Sequence, residues 1–111
     1  MTKTTSYEIS KKLEEAGFEA ETNFYWYCYD NGREMRHIAD ADGKGDVEAY
    51  DLETLLDALK QTRKRIMIVG KSDNWGINFN YEFNKYSQEN ESLADTAGRM
   101  WLMLKEKGII C

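Results

Sequence analysis

The chain has 111 residues, 41% of them hydrophobic and 13% aromatic, and a formal net charge of −5. This length supplies one hydrophobic core and so a single domain over residues 1–111, and the composition excludes a disordered chain. The acidic balance argues against a general nucleic-acid binder, which needs a basic face for phosphates. The two cysteines, Cys28 and Cys111, form no disulfide framework and point to a reducing compartment, the cytoplasm. Met1 to Ser10 lacks the apolar core of a signal peptide, and no apolar stretch approaches the roughly 20 residues that cross a bilayer, so neither secretion nor a membrane is expected.

In chain order, Thr5 with Glu8 three residues on has the form of a capping box and predicts a helix to about Ala16. Ile9, Leu13 and Ala16 recur at helical spacing, Gly17 suits a left-handed cap, and Phe18 is placed to fold back on the last turn. Phe24 to Tyr29 is almost wholly aromatic, and Asn31-Gly32 is a strong two-residue hairpin signal before Arg33 to Ala39. With that turn, Cys28, Trp26 and Phe24 face Met35, His37 and Ala39 on one side, and Tyr29, Tyr27 and Tyr25 face Glu34, Arg36 and Ile38 on the other.

Asp40 to Glu48 reads as a glycine-rich acidic loop, and Leu52, Leu55, Leu56 and Leu59 mark an amphipathic helix from near Asp51. Arg65 to Gly70 suits a central strand. Trp75, Ile77, Phe79, Tyr81 and Phe83 alternate with polar or small residues, predicting a second hairpin across Lys71 to Asn74. A polar loop over Asn84 to Asn90 leads to Ser92 and Asp95, which open a last helix running through Leu104 to Gly108. Met100 to Leu104 is apolar all round, so this helix either lies deep under other elements or buries a second face in a homodimer. The order α-β-β-α-β-β-α predicts an α+β fold: one four-stranded antiparallel sheet from two hairpins, with three helices on it.

Signals for chemistry are sparse. Asp40 to Asp51 places acids at loop positions one, three and twelve and glycine at six, as an EF-hand calcium loop would, but Lys44 stands at position five and a strand precedes it. The plainer reading is an acidic loop ending in the Asp51 helix cap, and no metal or cofactor is expected. His37 is the only histidine, and the assumed register places it within two cross-strand positions of Cys28, raising a cysteine–histidine dyad; a structural Cys and His among aromatics is the favoured reading. No phosphate loop, Gly-x-Gly-x-x-Gly or Cys-x-x-Cys occurs, so an enzyme is not expected.

Two surfaces remain as binding candidates. From Asp40 to Asp57 seven acids stand against Lys44 alone, with Asp42, Asp46 and Glu48 at the centre, while Lys60 to Lys71 holds five bases and no acid. Tyr25, Tyr27, Tyr29 and Arg36, joined by Asn78 and Asn80 if the second hairpin shows that face, would form a tyrosine- and amide-rich sheet surface. The alternative is that a helix covers this face and the tyrosines are core.

Ser10 to Phe18, Phe24 to Tyr27, Ala49 to Leu59 and Asn90 to Ile110, about half the chain, together resemble a group of small proteins encoded by bacteriophages and prophages. Those proteins carry a Ser-Lys-Lys-Leu-Lys-Glu-Ala-Gly-Phe-like helix, a Tyr/Trp strand, an Ala-Tyr-Thr-Leu-Asp-Glu-Leu-Leu-like helix and a Glu-Ser-Pro-Ala-Asp-Ala-like terminal helix. This chain departs at Leu93, in the place of proline, and at Asp51, in the place of threonine. No activity is attached to the group, so the resemblance implies a setting alone: a non-enzymatic accessory protein that binds a host or defence protein. The alternative expectation is a small-ligand or nucleotide binder whose pocket is lined by Tyr25, Tyr27, Tyr29, Arg36 and Trp75.

Overall fold

The computed structural model describes residues 4–22, 24–29, 32–37, 47–70, 74–88 and 91–110, and the side chains of these except 27–29 and 32–37. The elements run α1 (Tyr7–Glu15), β1 (Phe24–Tyr29), β2 (Gly32–His37), β3 (Val47–Ala49), α2 (Leu52–Lys60), β4 (Ile66–Gly70), β5 (Trp75–Phe79), β6 (Phe83–Tyr86) and α3 (Leu93–Glu106). The α+β class and three helices are as the sequence predicts. The single four-stranded sheet is not: there are two three-stranded antiparallel sheets, ordered β2-β1-β3 and β4-β5-β6.

The two extra strands come from a predicted loop and from the far end of a predicted strand. Val47 to Ala49, at the end of the predicted acidic loop, pairs with Phe24 to Trp26 and closes the free edge of β1. The predicted strand from Trp75 to Phe83 folds back on itself, because Asn80 and Tyr81 both take positive φ, 53° and 62°. Glu82 N–H donates to Phe79 C=O at 3.1 Å across them. Two consecutive left-handed residues make a primed turn, whose twist matches a hairpin, and Asn78 Oδ1 supports it by accepting from Tyr81 N–H at 3.0 Å. Phe83 then pairs with Phe79, and Asn84 to Tyr86, predicted as loop, belong to β6.

The first hairpin forms with a shifted register. Tyr29 pairs with Gly32, Cys28 with Arg33, Trp26 with Met35 and Phe24 with His37, each partner two residues earlier than an Asn31-Gly32 turn would give. A shift of two changes every partner yet leaves each side chain on its predicted face, since the side-chain period of a strand is two.

Helix ends follow local chemistry. Ser6, one residue later than expected, caps α1 by accepting from Ile9 N–H at 3.3 Å. Thr5 is instead fully buried: its N–H donates to Tyr50 C=O at 2.9 Å, and its hydroxyl accepts from Tyr50 N–H at 3.2 Å and lies 2.6 Å from Ser10 Oγ. Asp51 and Ser92 cap α2 and α3 by accepting from Thr54 and Asp95 N–H at 2.9 and 3.2 Å. At the other end of α1, Gly17 takes φ +87°, its N–H donates to Glu14 C=O, and Phe18 N–H reaches back to Leu13 C=O. Gly108 and Ile109 repeat this double closure on α3.

The core is built on α3, which touches α1, α2, β5 and β6. Its stripe Ala97, Met100, Trp101 and Leu104 is buried against Leu13, Leu55, Leu59, Ile77 and Phe79. Phe18 sits edge-on to both Tyr50 and Trp101, with centroids 4.6 and 4.9 Å apart, and so joins the end of α1 to the segment after β3 and to α3. Replacing Gly17 with alanine, in the left-handed cap that sets the Phe18 return, should destabilise the protein by about 1 kcal/mol in urea unfolding.

Candidate interaction surfaces

Of the predicted binding residues, Tyr25 is 5% exposed, so the tyrosine face is covered at least at this position. The side chains of Tyr27, Tyr29 and Arg36, and residues Asp42 and Asp46, lie outside the described part of the chain. Glu48 stands opposite Tyr25 and accepts from the Tyr50 hydroxyl at 2.7 Å. Burial first, and then the neighbouring Glu48 carboxylate, push the Tyr50 phenol well above its ordinary value and hold it protonated. Asn78 does not join the tyrosine face: it belongs to the other sheet and donates to Asn84 Oδ1 at 2.9 Å. Nor does Trp75 stand with Tyr25 in a pocket, since it is 56% exposed on that second sheet.

The two chemical candidates fare differently. With Cys28 opposite Arg33 and His37 opposite Phe24, the register sets the two positions four residues of strand apart, roughly 13 Å at the usual rise, where the expected register set them two apart. Of the calcium-like loop, Val47 to Ala49 is strand and the Asp51 carboxylate is occupied as a helix cap; positions 40–46 lie outside the described residues. Among the described residues no cluster of three His, Cys, Asp or Glu side chains could hold a metal ion. No helix of the described residues is long and apolar enough to cross a membrane.

Three features of the surface escaped the sequence. In β4-β5-β6, Ile66, Ile68 and Gly70 share one face with Phe79, Ile77 and Trp75, because directly opposite residues in an antiparallel pair point the same way. That face is core at Ile77 and Phe79, each 1% exposed, but runs on past its cover to Ile68 and Trp75, 45% and 56% exposed. The Trp75 indole lies flat across Gly70, where an added Cβ would come within 3.1 Å of Cζ3.

A second feature is a cleft of about 570 Å³ between α1, α3 and β6. Its floor is Ile9 and Ala16 from α1 with Leu102 and Met103 from α3. Leu102 and Met103, with Arg99 and Glu106, form a stripe of α3 separate from the buried one, both half-buried. The third is a cleft of about 470 Å³ where the C-terminal ends of all three helices meet, lined by Phe18, Trp101, Ile109, Gln61 and Thr62 among others.

Electrostatics hold the start of α3 in place. Arg99 Nε and Nη2 donate to the two Glu91 oxygens at 3.0 and 2.6 Å, and Nη2 also donates to Tyr86 C=O at 2.7 Å, fixing α3 to the end of β6. Burial works against the Glu91 charge, but hydrogen bonds from Arg99 and Thr96 and the guanidinium charge outweigh it and hold the carboxyl below its ordinary 4.5. Asp95 accepts from Ser6 N–H at 2.6 Å, joining the first turns of α1 and α3; burial raises its carboxyl above the ordinary value despite that bond.

Comparison with protein families, curated proteins and solved structures finds no match to the chain.

The two carboxyls act oppositely on stability. Glu91, depressed when folded, stabilises above pH 4.5 and loses this as pH falls through its folded value; Asp95, raised, weakens the fold as pH climbs from 3.8 through its folded value. Glu91→Gln should therefore flatten the loss of stability between about pH 5 and pH 3 in urea titrations, relative to the wild type. An unchanged slope would show that the Arg99 clamp does not favour the ionised carboxyl.

Proposed function

We propose that the protein is a non-enzymatic interaction module whose contact surface is the uncovered end of the β4-β5-β6 sheet, centred on Trp75 and Ile68. The single observation behind this reading is that a core-facing stripe continues beyond the elements that bury it, leaving Trp75 56% and Ile68 45% exposed on one face. Tryptophan anchors are enriched at the energetic centres of protein interfaces, where a rigid ring gains much area for little entropy. Exposed this far on an acidic chain, the pair suits a protein partner with an apolar socket. The resemblance of half the chain to small phage and prophage proteins supplies the setting: an accessory protein acting on a host or defence protein in the host cytoplasm. The acidic segment around Asp42, Asp46 and Glu48 is the competing contact surface.

A second reading, a small-ligand binder, rests on the cleft at the three helix ends, whose volume of about 470 Å³ falls in the range of ligand pockets. Its aromatic wall is Phe18 and Trp101 in place of the tyrosines and Trp75.

Quantitative affinity capture from host lysate with wild type, Trp75→Ala, Ile68→Glu and Asp42→Lys/Asp46→Lys variants separates these readings. The sheet surface predicts that one stoichiometric partner is lost with Trp75→Ala and Ile68→Glu, at a cost of about 2 kcal/mol or more in affinity, and kept with the lysine variant. Loss with the lysine variant alone would move the contact to the acidic segment. A chain that emerges without a partner but with a bound small molecule in native mass spectrometry would replace the module with the ligand binder.

A further inference from the structure

The α1/α3/β6 cleft is remote from helix packing in its chemistry. Around its apolar floor stand Lys12 and Glu15 from α1, Lys85 from β6 and Glu106 from α3. Among the described residues none of these four has an ion-pair partner, whereas Arg99, at the same rim, is fully engaged by Glu91 and the Tyr86 carbonyl. The rim therefore offers two uncommitted cations and two uncommitted anions around four apolar side chains.

That balance points to one class of occupant. The rim has no net sign to attract a partner of opposite charge. A two-fold dimer brings a patch onto its own copy, so the patch must carry both signs and complement itself. The chain as a whole carries −5, so two copies repel over most of their surface and approach most easily where the local charge cancels. Gly98 adds to the shape: an added Cβ would come within 2.7 Å of Ile9 Cγ2, so α1 and α3 lie close and present Ile9, Leu102 and Met103 as one continuous floor.

We infer that the α1/α3/β6 cleft is a homodimer interface, occupied by the same cleft of a second copy, with Leu102 and Met103 meeting across the two-fold axis and the lysines of each copy meeting the glutamates of the other. Lys85, at the rim, stands in one cross-strand row with Ile77 and Ile68, and the buried Ile77 lies between it and the exposed Ile68.

The test is sedimentation velocity and native mass spectrometry on the full chain, with circular dichroism to confirm folding. The wild type should sediment at twice the chain mass, and Met103→Glu as a monomer. Two charge-segregated variants, Lys12→Glu/Lys85→Glu and Glu15→Lys/Glu106→Lys, should each self-associate about tenfold more weakly or worse, because like charges then face each other across the axis. Mixed in equal amounts they should form a heterodimer. All four substitutions lie at the rim, outside the buried core, and keep the test valid if Met103→Glu fails to fold. A monomeric wild type, segregated variants that dimerise as well as the wild type, or a mixture that forms no heterodimer would each overturn the interface. So would a dimer that survives Met103→Glu in a folded variant but is lost in Trp75→Ala.

Discussion

Ala97, Met100, Trp101 and Leu104 lie on one stripe of α3, and four elements are arranged to keep water from it. α1 and α2 pack on it from two sides, β5 and β6 supply Ile77 and Phe83, and Phe18 closes its far end edge-on to Trp101. A chain of this size has little apolar surface to spare, so one central helix shared by both sheets' supports is an economical way to enclose a core. The consequence is that the second stripe of the same helix, through Leu102 and Met103, is left at the surface.

The position of α3 is fixed by polar groups at its start. Ser92 and Asp95 lie beside the entry to α1, where Ser92 Oγ donates to Thr4 C=O at 3.4 Å and Asp95 accepts from Ser6 N–H. Glu91 and Arg99 hold the opposite side against β6. Helix-terminal N–H groups need acceptors, and here the acceptor for α1 comes from the first turn of α3. A local requirement of one helix thus becomes a long-range contact that orients another.

Surface features of the protein follow from what this arrangement leaves over. The core face of the β4-β5-β6 sheet is covered at Ile77 and Phe79 but emerges at Ile68 and Trp75. On its other face, Tyr86 lies over Gly76, where an added Cβ would meet the ring at 2.5 Å, and Arg65 stacks 5.2 Å from the Tyr81 centroid. Aromatic rings there are used to cover backbone and neighbours. Trp75 covers Gly70 in the same way, yet it and Ile68 stay 56% and 45% exposed.

Local chemistry was readable from the sequence because its causes are local. The amphipathic stripe of α2, the Asp51 and Ser92 caps, and the Gly17–Phe18 return each depend on residues within one or two turns, and they stand where the sequence placed them. The Phe24–Tyr29 and Ile66–Gly70 strands were equally plain. What required the tertiary structure was every choice between partners. The hairpin register shifted by two, a change that alters no face and so leaves no mark in the hydrophobic pattern. Val47 and Glu48 of the apparent loop joined Ala49 as β3 by pairing with the edge of β1, and Tyr81 took a left-handed conformation that its own preference opposes, because the β5-β6 pairing and the Asn78 side chain hold it there. Likewise, neither the exposure of Trp75 nor the meeting of Lys12 with Glu106 around one cleft is a property of sequence spacing, since both depend on where distant elements end relative to one another.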